Sequence, residues 1–381
     1  MQAKGSIALS AGGTGGHLFP AEALAHELIA RGWDVQLLTD KRATKFADRF
    51  PGSKMHVVAS ATPSGKNPLK LVSAGFTIWK GLRQARSLLV DIKPKAVVGF
   101  GGYPTIPPLI SAGALCPTII HEQNAVMGRA NKLLSPRVTA IAGGFLEAKG
   151  ELSGKIVETG NPVRPAVLEA SEMRYKKPTT KGPFKIVVFG GSQGARFFSQ
   201  TMPASFSALP DTLRKRLLVT QQARPEDEEA AKAAYAEAGI EAEVAPFFTD
   251  LPARIADAHL VIARSGASTV TEIGAIGRPA IFVPYPHALD HDQAANAAQM
   301  EAAGGALVRR EQDLSKDVMT NELNNLLSDA SKLDMMAKAA HAAGKRDAAR
   351  LLANLTEAMA DGQSVGSFKA SLAWVHDRNS Q

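Results

Sequence analysis

The sequence predicts an α/β protein made of two doubly wound parallel-sheet domains. Three observations predict it. Short continuous apolar runs that end in glycine or polar residues alternate with helical patterns, as strands buried on both faces do. This grammar starts at "SIALSAGG" (6–13) and starts again at "FKIVVFGG" (184–191). A chain of 381 residues with 45% hydrophobic content suits two domains of ordinary size, each with its own core.

The elements follow in order. After the first strand, an apolar helical pattern runs over 19–31, with Pro20 at about its first position, where a missing N–H costs nothing. "DVQLLTD" (34–40) and "KMHVVAS" (54–60) read as strands. Residues 67–86 read as a helix. "KAVVGFGG" (95–102) and "PTIIHEQN" (117–124) read as further strands. The first domain is expected to span 1–165, with a boundary near "ETGNPVRPAV" (158–167) and an exposed linker at "YKKPTTKGPFK" (175–185). The second, expected over 166–345, has strands at "LLVTQQA" (217–223), "EVAPFF" (243–248), "HLVIARSG" (259–266) and "PAIFVPY" (279–285), with helices at Ala267–Ile276 and 292–303. The amphipathic segment 345–362 either finishes the second domain or crosses back to the first, and 346–381 is set apart as a C-terminal helical segment.

Bulk properties exclude several classes. Cys116 is the single cysteine, so there is no disulfide framework and no cysteine metal site. The opening apolar run is too short for a signal-peptide core, and no uninterrupted apolar stretch is long enough to span a membrane. Residues 1–165 carry 20 Lys and Arg against 10 Asp and Glu, while 166–381 carry 24 against 26. One basic half implies an anionic partner for that half alone. With four Tyr and three Trp not interleaved with basic residues, no nucleic-acid platform is expected. An anionic membrane surface or a phosphorylated substrate suits the pattern better.

Ligands of doubly wound sheets bind at the carboxyl ends of strands, where the glycine-rich turns lie. "GGTGGH", "GFGGYP" and "GGSQGA" all fail the dinucleotide pattern, and no P-loop is present. What remains is close backbone approach by a ligand and the N–H groups of the helix that follows. Two such turns, one per domain, imply phosphate-bearing ligands at a cleft between the domains.

Seven stretches occur in order: "GGTGGHLFPA" (12–21), "GFGGYPTIPP" (99–108), "HEQNAVMGRAN" (121–131), "GNPVR" (160–164), "GGSQGAR" (190–196), "ARSGASTVTE" (263–272) and "HDQAANA" (291–297). Together they closely resemble the MurG family, the bacterial cell-wall glycosyltransferases that move N-acetylglucosamine from its UDP sugar onto lipid I to make lipid II. The resemblance covers nearly the whole chain. It implies the GT-B architecture, two Rossmann-like domains facing a cleft, with the acceptor and membrane on the first domain and the UDP sugar on the second.

By this resemblance Glu272 holds the ribose hydroxyls within the loop and helix formed by Ala267, Ser268, Thr269, Val270 and Thr271. Ser192 and its neighbouring N–H groups resemble the diphosphate contacts. Arg264 either supports that loop or offsets phosphate charge. The backbone of Phe248 matches the position that reads the uracil edge. Gln293 resembles the amide that reads the sugar hydroxyls; the family often has a second glutamine just before it, where this chain has Asp292. From the first domain, Thr14, Gly15, Gly16 and Asn124 resemble groups that reach the donor sugar and diphosphate. Arg164 resembles a donor contact, with a hinge ion pair as the competing reading.

The implied reaction inverts the anomeric centre by in-line displacement, which needs a base for the acceptor hydroxyl and stabilisation of the leaving UDP. His17 is the expected base, because its ordinary pKa suits work near neutral pH, and Glu122 competes for the role. His and carboxylate residues are scattered without a metal-ligand cluster, so no cofactor is expected, with a loosely bound Mg²⁺ left open. Over 67–86, Leu69, Val72, Phe76 and Trp79 share one helical face, Leu71, Ile78 and Leu82 form a second apolar row, and Lys66, Lys70, Lys80, Arg83 and Arg86 flank them. This is the composition of an interfacial helix, although an ordinary helix with Trp79 in the core has the same spacing. The expected location is peripheral, on the cytoplasmic face of the bacterial inner membrane, with other cell-wall synthesis proteins as further partners. Two rival readings stay open: a UDP-N-acetylglucosamine epimerase of the same architecture, and a non-catalytic nucleotide-sugar module.

Overall fold

The computed structural model describes residues 4–12, 15–43, 50–52, 54–62, 68–288 and 292–379, with the side chains of 68–71, 192–195 and 374–379 outside that description. The chain divides into two compact units, 1–164 with 346–381, and 165–345.

The first unit runs β1 (Ser6–Ser10), α1 (Gly15–Ala30), β2 (Asp34–Thr39), β3 (Lys54–Val57), α2 (Pro68–Ile92), β4 (Ala96–Gly99), α3 (Ile106–Ala112), β5 (Thr118–Glu122), α4 (Arg129–Leu134), β6 (Ala140–Gly143) and β7 (Ile156–Val157). The strands form one sheet in the order β3-β2-β1-β4-β5-β6-β7, and its pairings are parallel. Successive residues of β1 face opposite layers. Ile7 and Leu9 join Leu24 and Leu28 of α1 in one core, and Ala8 joins Ala85 and Leu89 of α2 and Leu109 of α3 in the other. Burial on both faces explains why the strands read as unbroken apolar runs.

The second unit repeats the plan: α5 (Pro165–Ser171), β8 (Phe184–Phe189), α6 (Gly191–Ser207), α7 (Asp211–Arg214), β9 (Leu217–Gln222), α8 (Pro225–Glu237), β10 (Glu241–Ala245), α9 (Leu251–Asp257), β11 (Leu260–Ala263), α10 (Ala267–Ile276), β12 (Ala280–Phe282), α11 (Asp292–Ala302), β13 (Ala306–Val308), α12 (Lys316–Leu327) and α13 (Ala330–Ala343). Its sheet, β10-β9-β8-β11-β12-β13, is again parallel. In each unit the strand order reverses beside the first strand, between β1 and β4 and between β8 and β11. That reversal is where a doubly wound sheet opens to a ligand.

One helix start differs from the expectation. The first helix begins at Gly15, and Pro20 lies inside it rather than at its first position. The pyrrolidine ring of an interior proline presses on the carbonyl four residues back, and that residue here is Gly16, the least crowded one available.

The last helices, α14 (Ala348–Ala360) and α15 (Val365–Asn379), return to the first unit. Leu352, Leu355, Met359 and Phe368 complete the core that α1 and β1 began. A polar clamp fixes this return. Glu357 accepts hydrogen bonds from Arg31 (2.6 Å), Trp33 Nε1 (2.8 Å) and Lys4 (3.4 Å), and Arg31 also donates to Asn354. Burial alone would raise the Glu357 pKa; the bonds from Trp33 and Arg31 and the charge of Arg31 outweigh it and hold the carboxyl below its ordinary value. A carboxylate depressed in the folded state stabilises above its unfolded pKa, and that contribution is lost as pH falls through the folded value. The difference in urea midpoint between the parent and Glu357→Gln is therefore expected to be constant near neutral pH and to shrink as pH falls below about 4. A difference that persists at lower pH would remove this carboxylate from the account.

Candidate active site

The carboxyl ends of the first sheet are knitted together by glycines and buried amides. His17 is half-buried in the first turn of α1. Its ring lies against Gly101 and Gly102, which follow β4 at φ +87° and +78°; a Cβ at Gly101 would lie 3.3 Å from the His17 Nε2. Only glycine combines those dihedrals with that approach. Burial lowers the His17 pKa, and the charge of Arg42 lowers it further, while a hydrogen bond with the Gly12 backbone opposes both. The imidazole is thus held neutral at physiological pH.

Glu122, at the end of β5, is 2% exposed. Its Oε1 accepts from the Asn124 N–H (3.0 Å) and Asn124 Nδ2 (3.2 Å), and its Oε2 from the Gly128 N–H (3.0 Å) and Asn131 Nδ2 (2.8 Å). Burial raises its pKa, and these four donors pull against that rise without cancelling it. Four donors occupy the lone-pair sites of a carboxylate. The arrangement makes Glu122 the organiser of the 123–131 loop and fixes Asn124. The same network extends outward: Gln123 donates to the Phe100 carbonyl, Asn161 to the Gln123 carbonyl, and Asn131 also to the His121 carbonyl. His121 is fully buried against Phe100, with its pKa lowered to about 4 by burial, so it is a neutral structural ring. Arg164 stacks on Phe19 of α1, 4.0 Å from the ring centroid, two residues from His17. Gly15 and Gly16 open α1, and Thr14 lies outside the described residues.

In the second unit two helices begin at the switch point: α6 at Gly191 after β8, and α10 at Ala267 after β11. Their first N–H groups and positive dipole ends form a place for an anion. Gln222 accepts from the Gly191 N–H (3.0 Å) and donates to the Pro246 carbonyl (3.0 Å), which fixes the turn. The Ser192 side chain lies outside the described residues. Glu272 is half-buried on α10, as are Ser268 and Thr269, while Ala267, Val270 and Thr271 are buried; Thr271 bonds the Ala267 carbonyl. Phe248 is buried beyond the end of β10, beneath Arg254. Gln293, in the first turn of α11, accepts the Tyr285 N–H (2.9 Å).

Arg264 is 5% exposed. It donates to the carbonyls of Val283 (3.1 Å) and Pro284 (3.2 Å) and pairs with Glu311, with Phe197, Phe198 and Tyr285 around its guanidinium. These partners lie at 283–284 and at Glu311, away from the Ala267–Thr271 segment that Arg264 precedes. Among the described residues, no group of three or more His, Cys, Asp or Glu could hold a metal ion.

The residues that sequence reasoning passed over are Asn131 and Gln123, which hold the loop, and the Gly101–Gly102 pair under His17. All four lay within stretches already quoted, and the amides beside a carboxylate were the signal.

Comparison with known proteins agrees with this geometry. Residues 7–143 match the glycosyltransferase family 28 N-terminal domain, and 185–352 match its C-terminal domain. The chain belongs to glycosyltransferase family 28. Within family 28, it is 60% identical over 366 residues to the UDP-N-acetylglucosamine–N-acetylmuramyl-(pentapeptide) pyrophosphoryl-undecaprenol N-acetylglucosamine transferase of Chelativorans sp. (strain BNC1), covering 96% of this chain and 98% of that one. The protein of the same name from Brucella canis is 58% identical, over 96% of this chain and 97% of its own. Among solved structures, the Acinetobacter baumannii MurG crystal structure superposes with a TM-score of 0.75 at 28% identity, covering 93% and 100%. The UDP-GlcNAc 2-epimerase from Neisseria meningitidis reaches 0.63 at 10% identity over 92% and 98%, a likeness of fold alone. The family 28 chain thus has the GT-B architecture.

Replacing Glu122 with Gln places an NH₂ against two N–H donors, and each buried donor left without an acceptor costs about 1–3 kcal/mol. Glu122→Gln is expected to lower the thermal midpoint and to raise amide hydrogen exchange across 123–131. Unchanged exchange there would show that the carboxylate does not organise the loop.

Proposed function

We infer that this chain is an inverting N-acetylglucosaminyltransferase. It moves N-acetylglucosamine from UDP-N-acetylglucosamine to O4 of the N-acetylmuramyl residue of lipid I, forming lipid II for peptidoglycan. The observation that carries this is identity of 58–60% across 96% of the chain to transferases of that name. An epimerase would need no lipid-linked acceptor, so product analysis with UDP-N-acetylglucosamine and a lipid I analogue separates the two.

The first unit supplies the base. His17 takes the proton of the acceptor hydroxyl as O4 attacks the anomeric carbon. Its lowered pKa and its seat in the first turn of α1 support this, and the fully used lone pairs of Glu122 support a positioning role for that carboxylate. The leaving UDP is met by the N–H groups that open α6 and α10, including that of Ser192, a preorganised substitute for cations. Glu272 accepts from the ribose hydroxyls, the Phe248 backbone meets the uracil edge, and the Gln293 NH₂ meets the sugar hydroxyls. Gly15, Gly16, Thr14, Asn124 and Arg164 belong to the side of the donor sugar and diphosphate. The mechanism requires no resident metal and is compatible with Mg²⁺ loosely held by the diphosphate.

His17→Ala is expected to lower kcat by roughly 10²–10⁴-fold with donor KM little changed. In the parent, the acidic limb of kcat/KM should have its midpoint below the ordinary histidine value of about 6.5, because a base acts in its neutral form. Near-normal turnover in the variant would make His17 structural.

We also propose peripheral attachment to the cytoplasmic face of the inner membrane through residues 67–86, where further cell-wall synthesis proteins would meet the enzyme. On α2, Val72 (73%), Phe76 (65%) and Trp79 (50%) are exposed. Phe76 and Trp79 pack ring to ring and Arg83 lies over Trp79, with Lys80 and Arg86 exposed nearby. Leu69, Lys70 and Leu71 have side chains outside the described residues, and Lys66 is itself outside them. Among the described residues, no helix is long and apolar enough to cross a membrane. Liposome binding should rise with anionic lipid, fall with salt, and drop in Phe76→Ser/Trp79→Ser. Full binding by that variant would put the membrane contact elsewhere.

A further inference from the structure

The far end of α10 is held by a residue that takes no part in the proposed reaction. Arg278 lies one residue past the cap of α10 and is 1% exposed. Its Nε donates to the Ala256 carbonyl (2.8 Å), which Nη2 also reaches. Its Nη1 donates to the carbonyls of Ile276 (2.8 Å) and Gly277 (3.2 Å), and Nη2 to that of Met173 (2.7 Å). Ile276 is the last residue of α10, and Gly277 is its left-handed cap at φ +73°. Ala256 lies in the last turn of α9. Met173 lies in the turn that follows α5, where its N–H bonds the Ala170 carbonyl. One buried cation thus joins the carbonyl ends of three helices, the ends at which a helix dipole favours positive charge.

Close packing binds a second segment to the same helix. A Cβ at Gly277 would lie 2.7 Å from the His341 Cβ, and a Cβ at Gly274 would lie 2.8 Å from the Met300 Cε. A Cβ at Gly344 would run into the Gly274 carbonyl. The backbone at Gly344, the cap of α13, therefore rests on the backbone of α10. These attachments lie where the chain enters and leaves the unit. The helix α5 opens at Pro165, the first residue of the unit, and Gly344 precedes its last, Lys345.

The ten residues of α10 make a rod of about 15 Å. A regular helix moves as a body, so a displacement at Ile276 is carried to Ala267 and Glu272. A shift of about 1 Å takes an N–H out of hydrogen-bond range.

We propose that Arg278 is a positioning residue for the donor. By fixing the carbonyl end of α10 against α5 and α9, it sets where the opposite end presents its N–H groups and Glu272 to the UDP moiety. The proposal rests on the reading of α10 as the donor helix, and it does not depend on transfer.

The test is Arg278→Met, which keeps an apolar stem and removes the guanidinium, beside Arg278→Lys. UDP alone is titrated by calorimetry, and turnover is measured separately with UDP-N-acetylglucosamine and a lipid I analogue. Arg278→Met should weaken UDP about tenfold, with kcat at saturating donor and acceptor KM within about twofold of the parent. Arg278→Lys keeps a cation at the helix ends and should recover most of the loss. Gly344→Ala presses on α10 from its other side with Arg278 intact. Its φ of −75° suits alanine, so its effect is steric, and it should also weaken UDP. This variant and Arg278→Lys decide the matter if Arg278→Met does not fold. Arg216→Met is the control. Arg216 donates to the carbonyls of Thr179 and Gly182 in the same unit, away from α10, and its loss should leave UDP affinity unchanged. Unchanged UDP affinity in folded Arg278→Met and in Gly344→Ala overturns the proposal, as does an equal loss in Arg216→Met. A lower kcat with UDP affinity unchanged assigns Arg278 to the fold alone and overturns it too. So does an absence of UDP binding by the parent. The predicted pattern of UDP affinities without any transfer upholds Arg278 and overturns the transferase reading.

Discussion

The structure depends on one constraint: a parallel sheet covered on both faces must send each strand's carboxyl end into a turn at the same edge. Where the strand order reverses, helices leave toward opposite faces and no helix covers the gap. Both units have such a gap, beside β1 in one and beside β8 in the other. The turns that edge it hold glycine and helices begin immediately after, so first-turn N–H groups lie at the gap, although that of Gly191 is already bonded to Gln222. His17, the Glu122 network and the starts of α6 and α10 all lie at these edges. None of them needs a special fold to be brought there.

The strands and most helices were legible because a continuous apolar run with a polar end has one reading in a doubly wound protein. The first helix start was not. Proline at a first helical position is a strong local signal, and here it is overridden: the helix already starts at Gly15, and the carbonyl the Pro20 ring presses on belongs to Gly16. The role of Glu122 was also hidden. Its four donors come from Asn124, Gly128 and Asn131, so the carboxylate's occupancy appears only when the loop closes on it. Arg264 was ambiguous for a similar reason, since its acceptors lie 19, 20 and 47 residues away.

Cations are used differently in the two halves of the sequence. In the second unit several arginines are committed to the protein itself. Arg278, 1% exposed, is spent on the carbonyls of Ala256, Ile276 and Met173, and burial lowers its pKa to about 10. Arg254 is tied to Glu243 and Asp250, and Arg264 to its carbonyl cage. What the switch point of that unit offers instead is the oriented N–H groups at the starts of α6 and α10. In the first unit, Lys80, Arg83 and Arg86 are exposed beside the apolar ridge of Val72, Phe76 and Trp79.

The return of α14 and α15 to the first unit makes the second unit an insertion within the first. The chain passes from one to the other near residue 164 and back near 346. Domains generally fold in the order in which they are synthesised, and here that order is inverted. The first unit's core lacks Leu352, Leu355, Met359 and Phe368 until almost all of the chain has left the ribosome, whereas every residue of 165–345 has emerged by then. The half of the protein that is made first is the last to be finished, and its apolar β1–α1 layer stays uncovered on one side throughout that interval.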